Sequence, residues 1–384
     1  MSSRRLILLS VLSVLSLLIA CDKPKSSVNS FGLENIPERL SEWGLFDVDG
    51  KSLALNDRVV PYDLNTPLFS DYALKLRTVW MPPGASAGYR TDTELDFPVG
   101  TIISKTFHYE YADSTGSESV SVVKADREAR LNADGELDLD EYFLAESRLL
   151  VRYEEGWKAF PYVWNTDQTE AFLEPAGELL NLELVSGSGE SEPIVYVVPD
   201  SNQCAGCHTP DHAFKALRPL GPKARQLNRD YAYTSGTRNQ LAYWIETGLL
   251  RGAGIFDLSL APAIASWSKP GDAPLEDRAR AYLDANCAHC HNPLGAADTS
   301  ALNLNIEANV DRRFGLCKPP VAVGRGSGNR PYDIYPGKAA ESILLFRMED
   351  ADPAIAMPEL GRATNHVEGI AVVRDWINSL SGTC

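Results

Sequence analysis

From about Phe31 to Asp200 the apolar positions recur largely at every second residue. In GTIISKTFHYEY, Ile103, Phe107, Tyr109 and Tyr111 alternate with Ser104, Thr106, His108 and Glu110, the spacing of a strand with two unlike faces. RLLVRYEEGWKAFPYVW adds two strands around a turn at Glu154, Glu155 and Gly156. After Asp200 the period lengthens. NQLAYWIETGLL sets Leu241, Trp244, Ile245 and Leu249 on one helical face, and LEDRARAYLDAN does the same with Leu275, Ala279, Tyr282 and Leu283. HVEGIAVVRDWINSL repeats the pattern with Ile370, Val373, Ile377 and Leu380. These runs predict a multidomain α+β chain: a β-rich domain over residues 31–200, then helical segments over 201–270 and 271–384 joined by Pro/Gly loops.

The first 21 residues stand outside this pattern. Arg4 and Arg5 precede an apolar run from Leu6 to Leu18, too short and too early for a stable span, so residues 1–20 are predicted to be a signal peptide. The closing LIAC resembles the lipobox of bacterial lipoproteins, which implies lipidation of Cys21 and a polar tether over 21–30. SSRRLILL also resembles a twin-arginine signal, but thiols that are modified after export favour an unfolded crossing by the general secretory route. Asp22 resembles an inner-membrane retention signal. The expected location is therefore periplasm-facing, lipid-anchored to a bacterial membrane.

Composition narrows the partners. Across 384 residues, 36 Lys+Arg stand against 52 Asp+Glu, a formal charge of −16, and losing Arg4 and Arg5 makes the chain more acidic still. Such a surface repels phosphate backbones, so no nucleic acid is expected; a redox partner protein with a basic docking face is.

The chemistry lies in two CxxCH segments, Cys204-Ala-Gly-Cys207-His208 and Cys287-Ala-His-Cys290-His291. Two thiols at this spacing form thioethers with a porphyrin, and the adjacent histidine meets one axial face of the iron. With these residue counts chance supplies roughly 0.002 such motifs per chain. Zinc is the competing reading, but a compact zinc ribbon keeps its pairs ~15–20 residues apart, far closer than these. The expected cofactors are two covalently attached haem c groups. His212, four residues after His208, would fall on the same side of a helix and cannot easily reach the opposite face of one haem. His108, Met81, Met348 and His366 remain as candidates for the sixth position of the first haem, as does an open position. Cys317 and Cys384 are left over, and in an oxidising compartment they are a candidate disulfide.

Other patterns fail. NADGELDLDE has the Gly and closing Glu of a calcium loop but lacks its first carboxylate. GRGSGNR lacks the lysine of a phosphate loop. PLFSDYALKLR, with Ser70, Asp71, Lys75 and Arg77, reads as a salt-bridged surface before it reads as a polar site.

Around the second motif a helix ending at Asn286, the run SILLFRM, the loop AMPELG and a last helix with Trp376 closely resemble a class I cytochrome c domain. That resemblance implies α-helical cytochrome c-like haem domains in the second half, with Met357 opposite His291 on the iron. Across most of the mature length YDLNTPLFSDYA, FPVGTIISKTF, NQCAGCH with RPLGPKARQLNRDY, and NCAHCHNP with YPGKAAESILLFRM resemble a family of bacterial dihaem c-type cytochrome lipoproteins. Membership implies haem binding and electron transfer. The competing expectation is a haem enzyme, peroxidase-like, with an open sixth position at the first haem. A third makes the β-rich part a binding module with the haems as its redox output.

Overall fold

The computed structural model describes residues 27–112, 119–128, 130–252, 257–321 and 323–384. The signal peptide, Cys21 and the start of the tether lie outside the described residues. In chain order the strands are β1 Phe46–Val48, β2 Ser52–Leu55, β3 Val60–Tyr62, β4 Leu74–Trp80, β5 Ala87–Gly88 and β6 Ile102–Glu110. There follow β7 Val120–Val123, β8 Glu136–Asp138, β9 Tyr142–Tyr153, β10 Gly156–Trp164, β11 Ala171–Leu173, β12 Glu178–Val185 and β13 Ser191–Val198. The later strands are β14 Asp230–Tyr233, β15 Gly236–Asn239 and β16 Leu250–Arg251. The helices are α1 Ser201–His208, α2 Ala224–Leu227, α3 Gln240–Glu246, α4 Leu275–Asn286, α5 Ile343–Glu349 and α6 Val367–Ser379.

A six-stranded antiparallel sheet, β11-β10-β9-β6-β4-β3, is the centre of the molecule. The alternation read along β6 is real, yet both of its faces are buried. One face, with Leu76, Ile102 and Leu149, packs on Trp43 and Tyr162. Its polar positions bond one another: Thr78 with Ser104 at 2.5 Å and Thr106 with Ser147 at 2.7 Å. The other face, with Val79, Ile103 and Leu150, packs on Leu227, Leu241 and Trp244 from beyond residue 200. A smaller sheet, β13-β12-β7, carries Leu182, Ile194 and Tyr196 onto Phe107 and Tyr109.

The expected fold class, a β-rich domain followed by α-helical cytochrome c-like haem domains, is corrected by these observations. Among the described residues strand outweighs helix, 28% to 21%, in several sheets and six helices. Beyond Asp200 the chain forms the hairpin β14-β15, and β16 pairs in parallel with β5 of the first half. Apolar spacing of i, i+3, i+4 cannot tell two turns of helix from a long one, and breakers settle the matter. The run at Leu241 stops after seven residues, with Gly248 at φ 75°. Among the described residues only α4 and α6, of 12 and 13 residues, are long. They cross closely at Gly369, where an added Cβ would lie 2.2 Å from the Tyr282 ring.

Side chains from one half cap backbone groups of the other. Gln240 accepts from the Asp63 amide at 2.7 Å and donates to the Asp63 carbonyl at 3.0 Å. Gln226 accepts from the Thr66 amide at 2.9 Å, and the Thr66 hydroxyl donates to the Ala265 carbonyl at 2.7 Å. A Cys317–Cys384 disulfide with a sequence separation of 67 ties down the C-terminus. In the chain-entropy account a loop of that length contributes roughly 4 kcal/mol. Cys384→Ser is expected to lower unfolding stability by about 2–4 kcal/mol, read from denaturant midpoints under non-reducing conditions, with no change under reducing ones.

Candidate functional site

The first CxxCH helix begins where β13 ends. Asp200 caps α1 by accepting from the Asn202 and Gln203 amides at 2.7 and 2.8 Å, while Gln203 Oε1 accepts from the Asp200 amide at 3.0 Å. This reciprocal box starts a helix of eight residues with weak intrinsic preference, and it delivers Cys204, Cys207 and His208. The chain then loops back so that the Arg218 amide donates to the His208 carbonyl at 2.7 Å. His208 Nδ1 lies 2.7 Å from the Arg218 carbonyl oxygen. A carbonyl only accepts, so Nδ1 carries the proton and Nε2 is the free, ligand-type nitrogen.

The second motif follows α4 directly, with the His291 amide donating to the Cys287 carbonyl at 2.9 Å. Its imidazole is fixed in the same way. Ser300 Oγ gives its hydrogen to the Ala297 carbonyl at 2.6 Å and so accepts from His291 Nδ1 at 3.0 Å, which leaves Nε2 free. Burial, then the Arg347 charge, pushes His291 down to about 4; burial, then the Lys105 charge, pushes His208 down to about 3. Both imidazoles are neutral, the form that binds a metal.

The two motifs, far apart in sequence, touch. The Cys290 thiol donates to the Gly206 carbonyl at 3.6 Å. Two adjoining cavities, of about 340 and 520 Å³, share Cys207, Cys287, His289 and Met357 in their walls. His208 opens on the first and His291 on the second. Met357 is held by its amide, which donates to the Arg347 carbonyl at 2.9 Å, and it heads a loop that Arg362 pins to the Arg347 and Asp350 carbonyls. The four motif cysteines are free thiols. Among the described residues no three His, Cys, Asp or Glu side chains gather as a self-sufficient metal site, whereas a haem iron asks the protein only for axial groups. Free thiol pairs, Nε2 atoms left unused and concave walls of this size fit the porphyrins that the motifs imply.

The candidates for a sixth ligand separate. His108 is fully buried on the Ser104–Thr106 side of β6, opposite the side that carries Lys105, and its ring lies edge-on to Tyr142. Neither His108 nor Met81 lines the two cavities. Met348 lines both, and His366 lines the first, stacked on Phe69 with centroids 4.2 Å apart. His212 is exposed, its amide donating to the Leu294 carbonyl at 2.7 Å. A histidine not considered from the sequence, His289, lines both cavities. Its signal was visible as the second variable position of the second motif.

PLFSDYALKLR is no surface. Asp71 and Tyr72 take left-handed backbone angles, φ 49° and 63°, and Asp71 is 2% exposed. Asp71 Oδ1 accepts from the Ala363 and Thr364 amides at 2.7 and 2.9 Å, fixing the segment after Met357 to the sheet. Arg77 pairs with Asp63 at 2.6 Å. Register places Arg77 opposite Lys105 and Lys105 opposite Arg148, three cations across three hydrogen-bonded strands. If the charged heads kept the ~4.8 Å strand spacing, each neighbouring pair would repel by roughly 3 kcal/mol at an effective dielectric of about 20. Burial, then Arg148 and Arg77, pushes Lys105 down to about 7; burial, then Arg77 and Lys105, does the same to Lys75. Sequence reading missed Lys105 and Arg148. The signal for Lys105 was a lysine in phase with Ile103, Phe107 and Tyr109.

Compared with protein-family models, curated proteins and solved structures, the chain has no match.

Burial pushes the Asp71 carboxyl up to about 6, against the two amides that favour its charge. The folded state therefore holds this proton more tightly than the unfolded chain, and the contribution to stability fades as pH rises from about 4 to about 6. Asn at this position keeps an acceptor without the charge. Asp71→Asn is expected to exceed the natural chain in stability at pH 7 by about 1–3 kcal/mol, with the gain gone near pH 4, measured as denaturant midpoints at both values.

Proposed function

We propose that the chain is a dihaem c-type cytochrome that transfers electrons, with haem c attached through Cys204 and Cys207 and through Cys287 and Cys290. The observation that carries this reading is the contact between the two motifs, Cys290 against Gly206, with His208 and His291, each held through Nδ1, lining adjoining cavities. Bound iron supplies one-electron exchange; the protein fixes axial groups, excludes water and holds the two sites together. His208 serves the first iron, and His291 with Met357 the second. A thioether ligand from Met357 beside the His291 imidazole would raise the reduction potential of the haem they hold.

The acidic chain suits a redox partner with a basic docking face. The proposed setting is the periplasmic side of a bacterial membrane, with Cys21 lipidated, in keeping with the dihaem lipoprotein family that the motifs resemble. Among the described residues no helix is long and apolar enough to cross a membrane.

A second reading, a haem enzyme open at the first iron, draws on a further cavity of about 470 Å³ lined by His208, Lys105, Arg148 and His289. The oxidised spectrum separates the two: wholly low-spin iron marks the carrier, and a high-spin band that responds to cyanide marks the enzyme.

Expressed in a host competent for cytochrome maturation, the chain is expected to gain the mass of two porphyrins and to give two haems per polypeptide as the pyridine haemochrome. A mass equal to the bare polypeptide contradicts the proposal. Met357→Ala is expected to lower the potential of one haem only, read by potentiometric titration, and to leave the haem count at two.

A further inference from the structure

We propose that the row Arg77–Lys105–Arg148, with Lys75 beside it, seats a carboxylate or small oxyanion in the cavity between the central sheet and the first CxxCH helix. The row belongs to the sheet's own register, so the seat itself does not depend on the haem reading. Like charges directly opposite one another across paired strands destabilise a sheet, and this sheet carries two such oppositions in succession. Two of the cations have partners: Asp63 for Arg77, and Glu146 for Arg148, whose Nε donates to it at 2.7 Å. Among the described residues Lys105 has no ion pair or hydrogen bond, and the Lys75 ammonium donates only to the Ala73 carbonyl, at 2.9 Å.

Three of the four heads converge. The Lys105 and Lys75 ammonium groups lie 4.9 and 5.8 Å from the centroid of the Phe107 ring, and the Arg148 guanidinium carbon lies 4.3 Å from it. Lys75, Arg77, Lys105 and Arg148 line the cavity of about 470 Å³ together with His208. Asp92, Glu94, Asp211 and Asp284 line the same cavity, yet neither Lys105 nor Lys75 forms an ion pair with them or with any other described residue, and the charge-assisted hydrogen bonds of Lys and Arg take carboxylates and oxyanions. That chemistry has two sources: a carboxylate of the porphyrin held at Cys204 and Cys207, or a diffusible oxyanion lodged beside it.

The full-length, haem-loaded protein is titrated calorimetrically with sodium sulfate in a buffer low in other anions, and its haem potentials are measured in the same buffer. Lys105→Met and Lys105→Arg are treated alike, and Lys75→Met supplies both readouts from a second position. A diffusible anion gives one saturable sulfate site per chain, weakened about tenfold or more in Lys105→Met and retained in Lys105→Arg. A porphyrin carboxylate gives no sulfate site but a fall in one haem potential in Lys105→Met, restored in Lys105→Arg. A chain that takes no sulfate and whose potentials ignore both methionine variants overturns the seat. A chain without porphyrin has no potential to read, which contradicts the electron-transfer proposal and leaves the sulfate titration standing.

Discussion

A central sheet of six strands has two faces to bury, and one of them is charged across its middle. The face that carries Val79, Ile103 and Leu150 at one end holds Arg77, Lys105 and Arg148 next, so it cannot be closed by an apolar layer alone. The chain covers its apolar end with Leu227, Leu241 and Trp244 and leaves a cavity over the cations. Into the wall of that cavity it places α1. The first CxxCH motif is thus positioned by how the sheet is covered, and the second by its contact with the first.

Several polar contacts keep that cover in register. Gln226, Gln240 and Thr66 replace backbone hydrogen bonds that water would otherwise supply, and each joins parts of the chain well over a hundred residues apart. Asp71 performs the same task at the other end, between the loop before β4 and the loop after Met357. These bonds are buried, so losing one partner leaves the other unsatisfied at a cost of about 1–3 kcal/mol. The Met357 loop depends on Arg347 and Arg362 in the same sense, since their carbonyl contacts hold an irregular segment that has no ladder of its own.

The motif residues were legible in the sequence and most of their geometry was not. The thiol pairs and their adjacent histidines are local signals, because their spacing is read directly along the chain. The strands around β6, β9 and β10 were legible because alternation persists over many residues. The helical half was misread as α-helical domains because three apolar residues on one face, as at Leu241, Trp244 and Ile245, fit a helix of seven residues as well as a longer one. The polar phase of β6 suggested that His108 could face a haem. In fact Ser104, Thr106 and His108 are buried in the layer opposite, where hydroxyl pairs satisfy one another. Lys105 stood in the apolar phase, but its opposition to Arg77 and Arg148 depends on strand register, which no local pattern gives. The contact of Cys290 with Gly206 is likewise a product of tertiary packing.

Circular dichroism in the Soret region tests the central claim most directly, because two porphyrins bound at adjoining sites would couple their transitions and split the band into lobes of opposite sign. The account predicts such a bisignate signal from the purified full-length protein, collapsing to a single sign when Cys287 and Cys290 are both replaced by alanine. A single-signed band in the unaltered chain would contradict the adjacency of the two sites, and the absence of any Soret absorption would contradict haem attachment itself.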